Sequence, residues 1–176
     1  MHFGAFSSVA ESVELPQKYF KNNYKNTINL LQIMREFGVN KFILSSTAAV
    51  YGNPEKVPIT EDQELKPINP YGHYIHVNDL AKAHIDAYEY LCNENESNVF
   101  NLGNGKGFSV KEVIDMVKKV TGKDFPVKLD ERREGDPDIL IADATKIKDK
   151  LGWTPQYDLE TIVESAWNWH KKIYQD

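Results

Sequence analysis

The chain has 176 residues, 41% hydrophobic and 27% charged, which suits a single domain or a small two-part fold and fits neither a disordered nor a membrane-embedded polypeptide. A formal net charge of −5 gives no basic field for a phosphate backbone, so nucleic acid is not expected as a partner. Cys92 is the single cysteine, which excludes an internal disulfide and a multi-cysteine metal site and suits a reducing cytoplasm.

The apolar start Met1 to Phe6 has no basic lead and is too short for a signal peptide or a membrane span. Within it Phe3-Gly4-Ala5-Phe6 reads as a short buried strand. Pro16 opens a long helix in which Tyr19, Tyr24, Ile28, Leu31 and Met34 recur at helical spacing, and Gly38 suits the position past its end. Lys41-Phe42-Ile43-Leu44 reads as a second buried strand, so strand, helix and strand form a βαβ unit with parallel strands.

Gly52-Asn53-Pro54 and Lys66-Pro67-Ile68-Asn69-Pro70 bracket a loop. A helix is predicted from about Asn78 to Leu91, with Leu80, Ala83, His84, Ala87 and Leu91 on one face. Cys92 near its end carries no mark of a nucleophile. Asn98 to Leu102 reads as a strand, and Ser109 with Glu112 as a capping box opening a helix that ends near Gly122. Asp143 and Asp158 suit the caps of two more helices, the last carrying Ile162, Ala166, Trp167 and Trp169, whose aromatics read as core.

The loop Gly103-Asn104-Gly105-Lys106-Gly107 between a strand and a helix invites a phosphate-binding reading. Its spacing is not G-x-G-x-x-G, and the plainer reading is a strand-to-helix turn. His76 and His84 read as partners of backbone groups, since no carboxylate or cysteine completes a metal set.

Two segments carry the chemistry. Ser45-Ser46-Thr47-Ala48-Ala49-Val50-Tyr51-Gly52 is followed by Asn69-Pro70-Tyr71-Gly72. A tyrosine acts as a base near neutrality only if positive charge and hydrogen bonds pull down its pKa. These segments resemble the active-site half of the extended short-chain dehydrogenase/reductase family, whose catalytic tyrosine is followed four positions on by a lysine. Tyr71 matches the tyrosine and Thr47 the Ser/Thr, but Ile75 stands at the lysine position.

The resemblance covers almost the whole chain. His2 to Ser12 looks like the family's fourth strand and the loop after it, and Tyr19 to Leu31 like the next helix, where an asparagine matching Asn23 lies beside the cofactor. Ser45 falls on that cofactor side as well. Tyr74 to Ala81 resembles the segment after the family's sixth strand, and Asn101-Leu102-Gly103, Arg132 to Pro137, Ala142-Asp143 and Leu151-Gly152-Trp153 resemble the nucleotide-sugar-binding part, in which Arg133 and Asp136 match residues that hold the diphosphate and the uridine ribose. Ser-Ser-Thr-Ala-Ala-Val-Tyr-Gly is similar to the UDP-glucose 4-epimerase branch, whereas 4,6-dehydratases place Asp-Glu after the threonine. Leu140 matches the residue that gates the turning sugar, and being neither tiny nor aromatic it leaves N-acetylated sugars open.

The resemblance implies an α/β fold, a partial Rossmann-like parallel sheet over residues 1–72 with a small C-terminal α/β substrate-binding part over 73–176. It implies NAD as cofactor, a UDP-sugar as ligand, no metal, and 4-epimerisation as the reaction. Two family segments have no counterpart: the Gly-rich NAD turn before the fourth strand, and a stretch of roughly 70 or more residues between Gly72 and Tyr74. The lone chain is therefore expected to be inactive or nearly so and to bind NAD weakly. Phe3 to Phe6 is expected as an unpaired edge that can template self-association, and loss of the tyrosine's helix argues against an ordinary family dimer. A non-catalytic nucleotide-sugar-binding or interaction module, and the product of a truncated gene, are the alternatives.

Overall fold

Two parallel main-chain pairings organise the molecule, and helices connect and flank them. The computed structural model describes residues 1–6, 8–66, 75–128 and 139–174. In the first pairing His2 lies beside Leu44: the His2 N–H donates to the Ile43 carbonyl at 2.8 Å, and the Ser45 N–H to the His2 carbonyl at 3.1 Å. In the second, Ile59 lies beside Ala142, with Ile59 N–H donating to Ile141 O and Asp143 N–H to Ile59 O, both at 2.7 Å. Both pairs are parallel, as the βαβ pattern requires. Neither extends into a ladder among the described residues.

The helix opened by Pro16 has the predicted extent but is less regular than its pattern predicts. After α1 (Val9–Glu14), α2 (Pro16–Tyr19) passes into a π-helical turn (Phe20–Lys25) and then α3 (Asn26–Glu36). Gly38 follows at φ 67°. A widened turn commonly marks a place where side chains are re-aimed, and here it carries Asn23. The Asn23 side chain accepts the Phe6 N–H and donates to the Phe6 carbonyl, both at 2.9 Å.

That amide does for Phe6 what a neighbouring strand would have done. The predicted strand Phe3 to Phe6 is thus reduced to a pairing at His2, and the Phe6 end of its edge is covered by a side chain rather than left open. The rings of Phe3 and Phe6 stay exposed.

The remaining helices are α4 (Val77–Asn93), α5 (Val110–Thr121), α6 (Thr145–Leu151) and α7 (Leu159–Ile173). The Ser109–Glu112 capping box is present, with Gly122 in the left-handed conformation past the end of α5. Asp158 caps α7 by accepting the Thr161 N–H at 2.9 Å. For α6 the capping residue is Ala144, one place later than predicted, yet the Asp143 carboxylate still takes the Thr145 N–H at 2.7 Å.

The core lies between α4, α6 and the segment after α6. Ala83, Ile147 and Trp153 form its centre, with Phe100, Leu102, Ala144 and Leu151 packed around them. Asp79 is buried there because its carboxylate is satisfied: both oxygens accept the Gln156 N–H at 3.0 Å, and one also accepts the Tyr157 N–H at 3.2 Å. The Trp153 indole N–H donates to the Asp79 carbonyl at 2.9 Å. Apolar periodicity on α4 correctly marked Ala83 and His84 as buried, but not Asp79 and Asp86.

Two predictions are corrected. Asn98 to Leu102 forms no strand among the described residues, because the main-chain N–H of Asn101 is taken by the Glu61 carboxylate at 2.7 Å instead of by a neighbouring strand. The aromatics of α7 are not core: Trp169 and Tyr174 are 64% and 68% exposed. Helix α7 buries Leu159 and Val163 instead, and the half-buried Trp167 is stacked against His170 with Lys123 over its ring. No helix among the described residues is long and apolar enough to cross a membrane.

Candidate active site

Ser45 and Thr47 follow directly on Leu44, at the carboxyl end of the first parallel pair, and Phe6 lies beyond His2 on the partner strand. In open parallel sheets this carboxyl edge is where ligands bind. Sequence and topology therefore bring three predicted residues, Ser45, Thr47 and the Phe6-bound Asn23, to one edge of the fold. Ser45, Thr47 and Asn23 are each half-buried.

The local fold around Thr47 is a single 3-10 turn, Ala48–Tyr51, of which Thr47 is the capping residue. Its hydroxyl oxygen accepts the Ala49 N–H at 3.3 Å, and its carbonyl accepts the Val50 N–H at 3.2 Å. Gly52 leaves the turn at φ 62°, a conformation that favours glycine. The two alanines after the threonine carry no acid or base, and Ala49 is buried.

Tyr51 closes the turn and is buried, with its hydroxyl donating to the Asn101 side-chain oxygen at 2.9 Å. Burial pushes its phenol above the ordinary tyrosine range, and the charges of Glu61 and Asp62 add to the shift. Tyr51 is therefore a hydrogen-bond donor and not a base. Its link to Asn101 spans fifty residues, and no local sequence pattern pairs the two.

Leu140 is half-buried and stands two places before Ala142 in the second parallel pair. Tyr71, Arg133 and Asp136 lie outside the described residues, as does His73. Ile75 is half-buried immediately before His76, which caps α4. His76 accepts the Asn78 N–H at 3.1 Å through one ring nitrogen and meets the Ser165 hydroxyl at 3.1 Å through the other. His84 bonds the Leu80 carbonyl at 2.7 Å. Both histidines are engaged as predicted, and among the described residues no cluster of His, Cys, Asp or Glu has the makings of a metal site.

The Gly103 to Gly107 segment is a packing turn. A Cβ at Gly103 would stand 2.9 Å from the Ala142 carbonyl oxygen, and one at Gly107 would stand 2.8 Å from the Ile141 side chain. The Asn104 side chain accepts the N–H groups of Lys106 and Gly107, so those amides are already partnered. A cavity of about 440 Å³ opens between Thr60, Glu61 and α6, and none of the predicted site residues lines it.

The GDP-mannose 4,6 dehydratase family model matches residues 1–120 and again 73–166. The UDP-glucose 4-epimerase of Lacticaseibacillus casei is 35% identical over 97% of this chain and 76% of its own length. The chain belongs to the UDP-glucose 4-epimerase family. A crystal structure of a UDP-glucose 4-epimerase superposes with a TM-score of 0.90 at 34% identity, over 98% of this chain and 77% of that one. The UDP-Glc/GlcNAc 4-epimerase of Campylobacter jejuni follows at 0.86 and 37%, over 97% and 76%. The UDP-glucose 4-epimerase family is an isomerase family with a Rossmann-like α/β fold and NAD as its cofactor. The alignment to the L. casei enzyme runs over 251 positions, whereas this chain has 176 residues. The excess of 251 over 176 means that at least 75 positions fall opposite gaps in this member of the UDP-glucose 4-epimerase family.

Proposed function

We propose that this chain carries the substrate-binding part and the Thr47–Tyr71 pair of a UDP-hexose 4-epimerase site, and that this polypeptide by itself does not turn the sugar over. The division falls at the join, with residues 1–72 the partial dinucleotide-binding domain and 73–176 the nucleotide-sugar-binding part. Arg133 forms bidentate bonds to the diphosphate and Asp136 takes the ribose hydroxyls. Leu140 borders the sugar and admits UDP-glucose, UDP-galactose or their N-acetylated counterparts. The single cysteine suits a reducing cytoplasm.

The donor set at the carboxyl edge fits the family cofactor: two half-buried hydroxyls, Ser45 and Thr47, at the end of a parallel pair. When bound, NAD supplies the hydride acceptor for oxidation at the sugar's C4. Ser45 bonds the cofactor, and Asn23 serves that side by fixing the main chain of Phe6. In a complete site Thr47 would orient the C4 hydroxyl and Tyr71 would be the group that takes its proton.

The observation that carries the inactivity is the setting of residue 75. A tyrosine phenolate near neutral pH needs a lysine one helical turn away. Here that position is an isoleucine that lies outside any helix, two residues before α4 begins at Val77. The alignment excess, together with the second family match opening at residue 73, supports a missing segment at this join.

Purified chain incubated with NAD and UDP-galactose is expected to form no UDP-glucose, and Ile75→Lys is expected to restore none, since the lysine would lack its helix. Conversion that Tyr71→Phe abolishes would overturn the inactivity. Calorimetry with UDP tests the binding part: heat of binding that Arg133→Ala removes is expected, and its absence in the parent chain would overturn that reading.

A further inference from the structure

We propose that Asn101 is a positioning residue for the Thr47 hydroxyl, holding it by clamping the far end of the turn that Thr47 begins. The proposal rests on the family assignment of Thr47 and otherwise on geometry alone. The turn is short: its main-chain bonds are Val50 N–H to Thr47 O at 3.2 Å and Gly52 N–H to Ala49 O at 3.1 Å. A single 3-10 turn has little rigidity of its own. Tyr51 gives it an anchor, since its ring is 4% exposed and its hydroxyl is directed to Asn101.

Asn101 is 8% exposed and uses both ends of its carboxamide. The oxygen accepts from Tyr51 at 2.9 Å, and the nitrogen donates to the Ile59 carbonyl at 2.9 Å. Its main-chain N–H donates to Glu61 at 2.7 Å. The Ile59 carbonyl also accepts the Asp143 N–H of the second parallel pair. One side chain therefore ties the Thr47 turn to the pairing beside Leu140. The carboxamide supplies the acceptor and the donor together. A carboxylate cannot donate to Ile59, and an aliphatic side chain would leave a buried hydroxyl and a carbonyl short of partners.

Amide hydrogen exchange on the full chain tests this without requiring turnover. Tyr51→Phe is expected to speed exchange of the Ala49 and Gly52 amides by about tenfold, the scale of one lost hydrogen bond, while amides of α5 keep their rates. Asn101→Leu, which loses this bond and the one to Ile59, is expected to speed the same two amides, and adding Tyr51→Phe to it to speed them no further, because the Tyr51–Asn101 bond is already gone. A merely structural role would raise α5 exchange equally. Unchanged Ala49 exchange in Tyr51→Phe, or additive effects in the double variant, would overturn the proposal. Tyr51→Phe decides the matter alone if Asn101→Leu does not fold. Failure of UDP to bind leaves this readout intact, so the two conclusions stand or fall separately.

Discussion

Replacing Gly107 and Gly105 separately by alanine distinguishes a packing turn from a mere flexible loop. Both glycines have positive φ, 71° and 74°, so each alanine incurs the left-handed penalty of about 1–2 kcal/mol. At Gly105 nothing else stands within 4 Å of the added Cβ, whereas at Gly107 it would lie 2.8 Å from Cγ1 and 3.1 Å from Cδ1 of Ile141. That overlap falls on a side chain able to shift, which puts the extra cost near the lower end of overpacking, about 1 kcal/mol. Urea denaturation followed by circular dichroism should therefore show Gly107→Ala less stable than Gly105→Ala by that margin, with unchanged slopes. The excess should disappear in an Ile141→Ala background, where the colliding atoms are gone. Equal costs at the two glycines, or an excess that survives Ile141→Ala, would refute the packing account.

Asp79→Asn should cost about 1–3 kcal/mol, because an amide nitrogen would face the N–H groups of Gln156 or Tyr157 and leave a buried donor unpaired; a midpoint unchanged in urea would contradict this. Acid should weaken the helix starts. Glu112 is held below the usual carboxylate range by the Ser109 main-chain N–H and then its hydroxyl, Asp143 by the Thr145 hydroxyl and then its amide, and Asp158 by the Thr161 amide and then its hydroxyl. Since these folded pKa values are depressed, their stabilisation is present above the unfolded carboxylate pKa, about 4, and is lost as pH falls through the lowered values. Denaturation midpoints measured from neutrality into this acid range should fall, and Asp158→Asn should flatten the fall; midpoints that do not move would show that the caps contribute nothing.

The readings that held are local ones. Ser109-x-x-Glu112 is a cap whose two halves lie three residues apart, and Gly122 and Gly38 end helices because left-handed backbone suits a residue without Cβ. Pro16 opened its helix for an equally local reason. Trp169 was misread because apolar identity does not say which face of α7 is covered, and Leu159 and Val163 are the residues that face buries.

By itself the sequence determined the family, through motifs that are short and contiguous: Ser45 to Gly52, Asn69 to Gly72 and Asn101 to Gly103. It also showed that isoleucine stands where the tyrosine's lysine belongs. Only the tertiary structure decided that Asn23 closes on Phe6, that Asp79 is buried under Gln156 and Tyr157, and that Asn101 reaches Tyr51. Those contacts join residues many positions apart through single side chains. Hydrophobic periodicity reports which side of one element is apolar, and carries no record of which distant polar group completes a buried hydrogen bond.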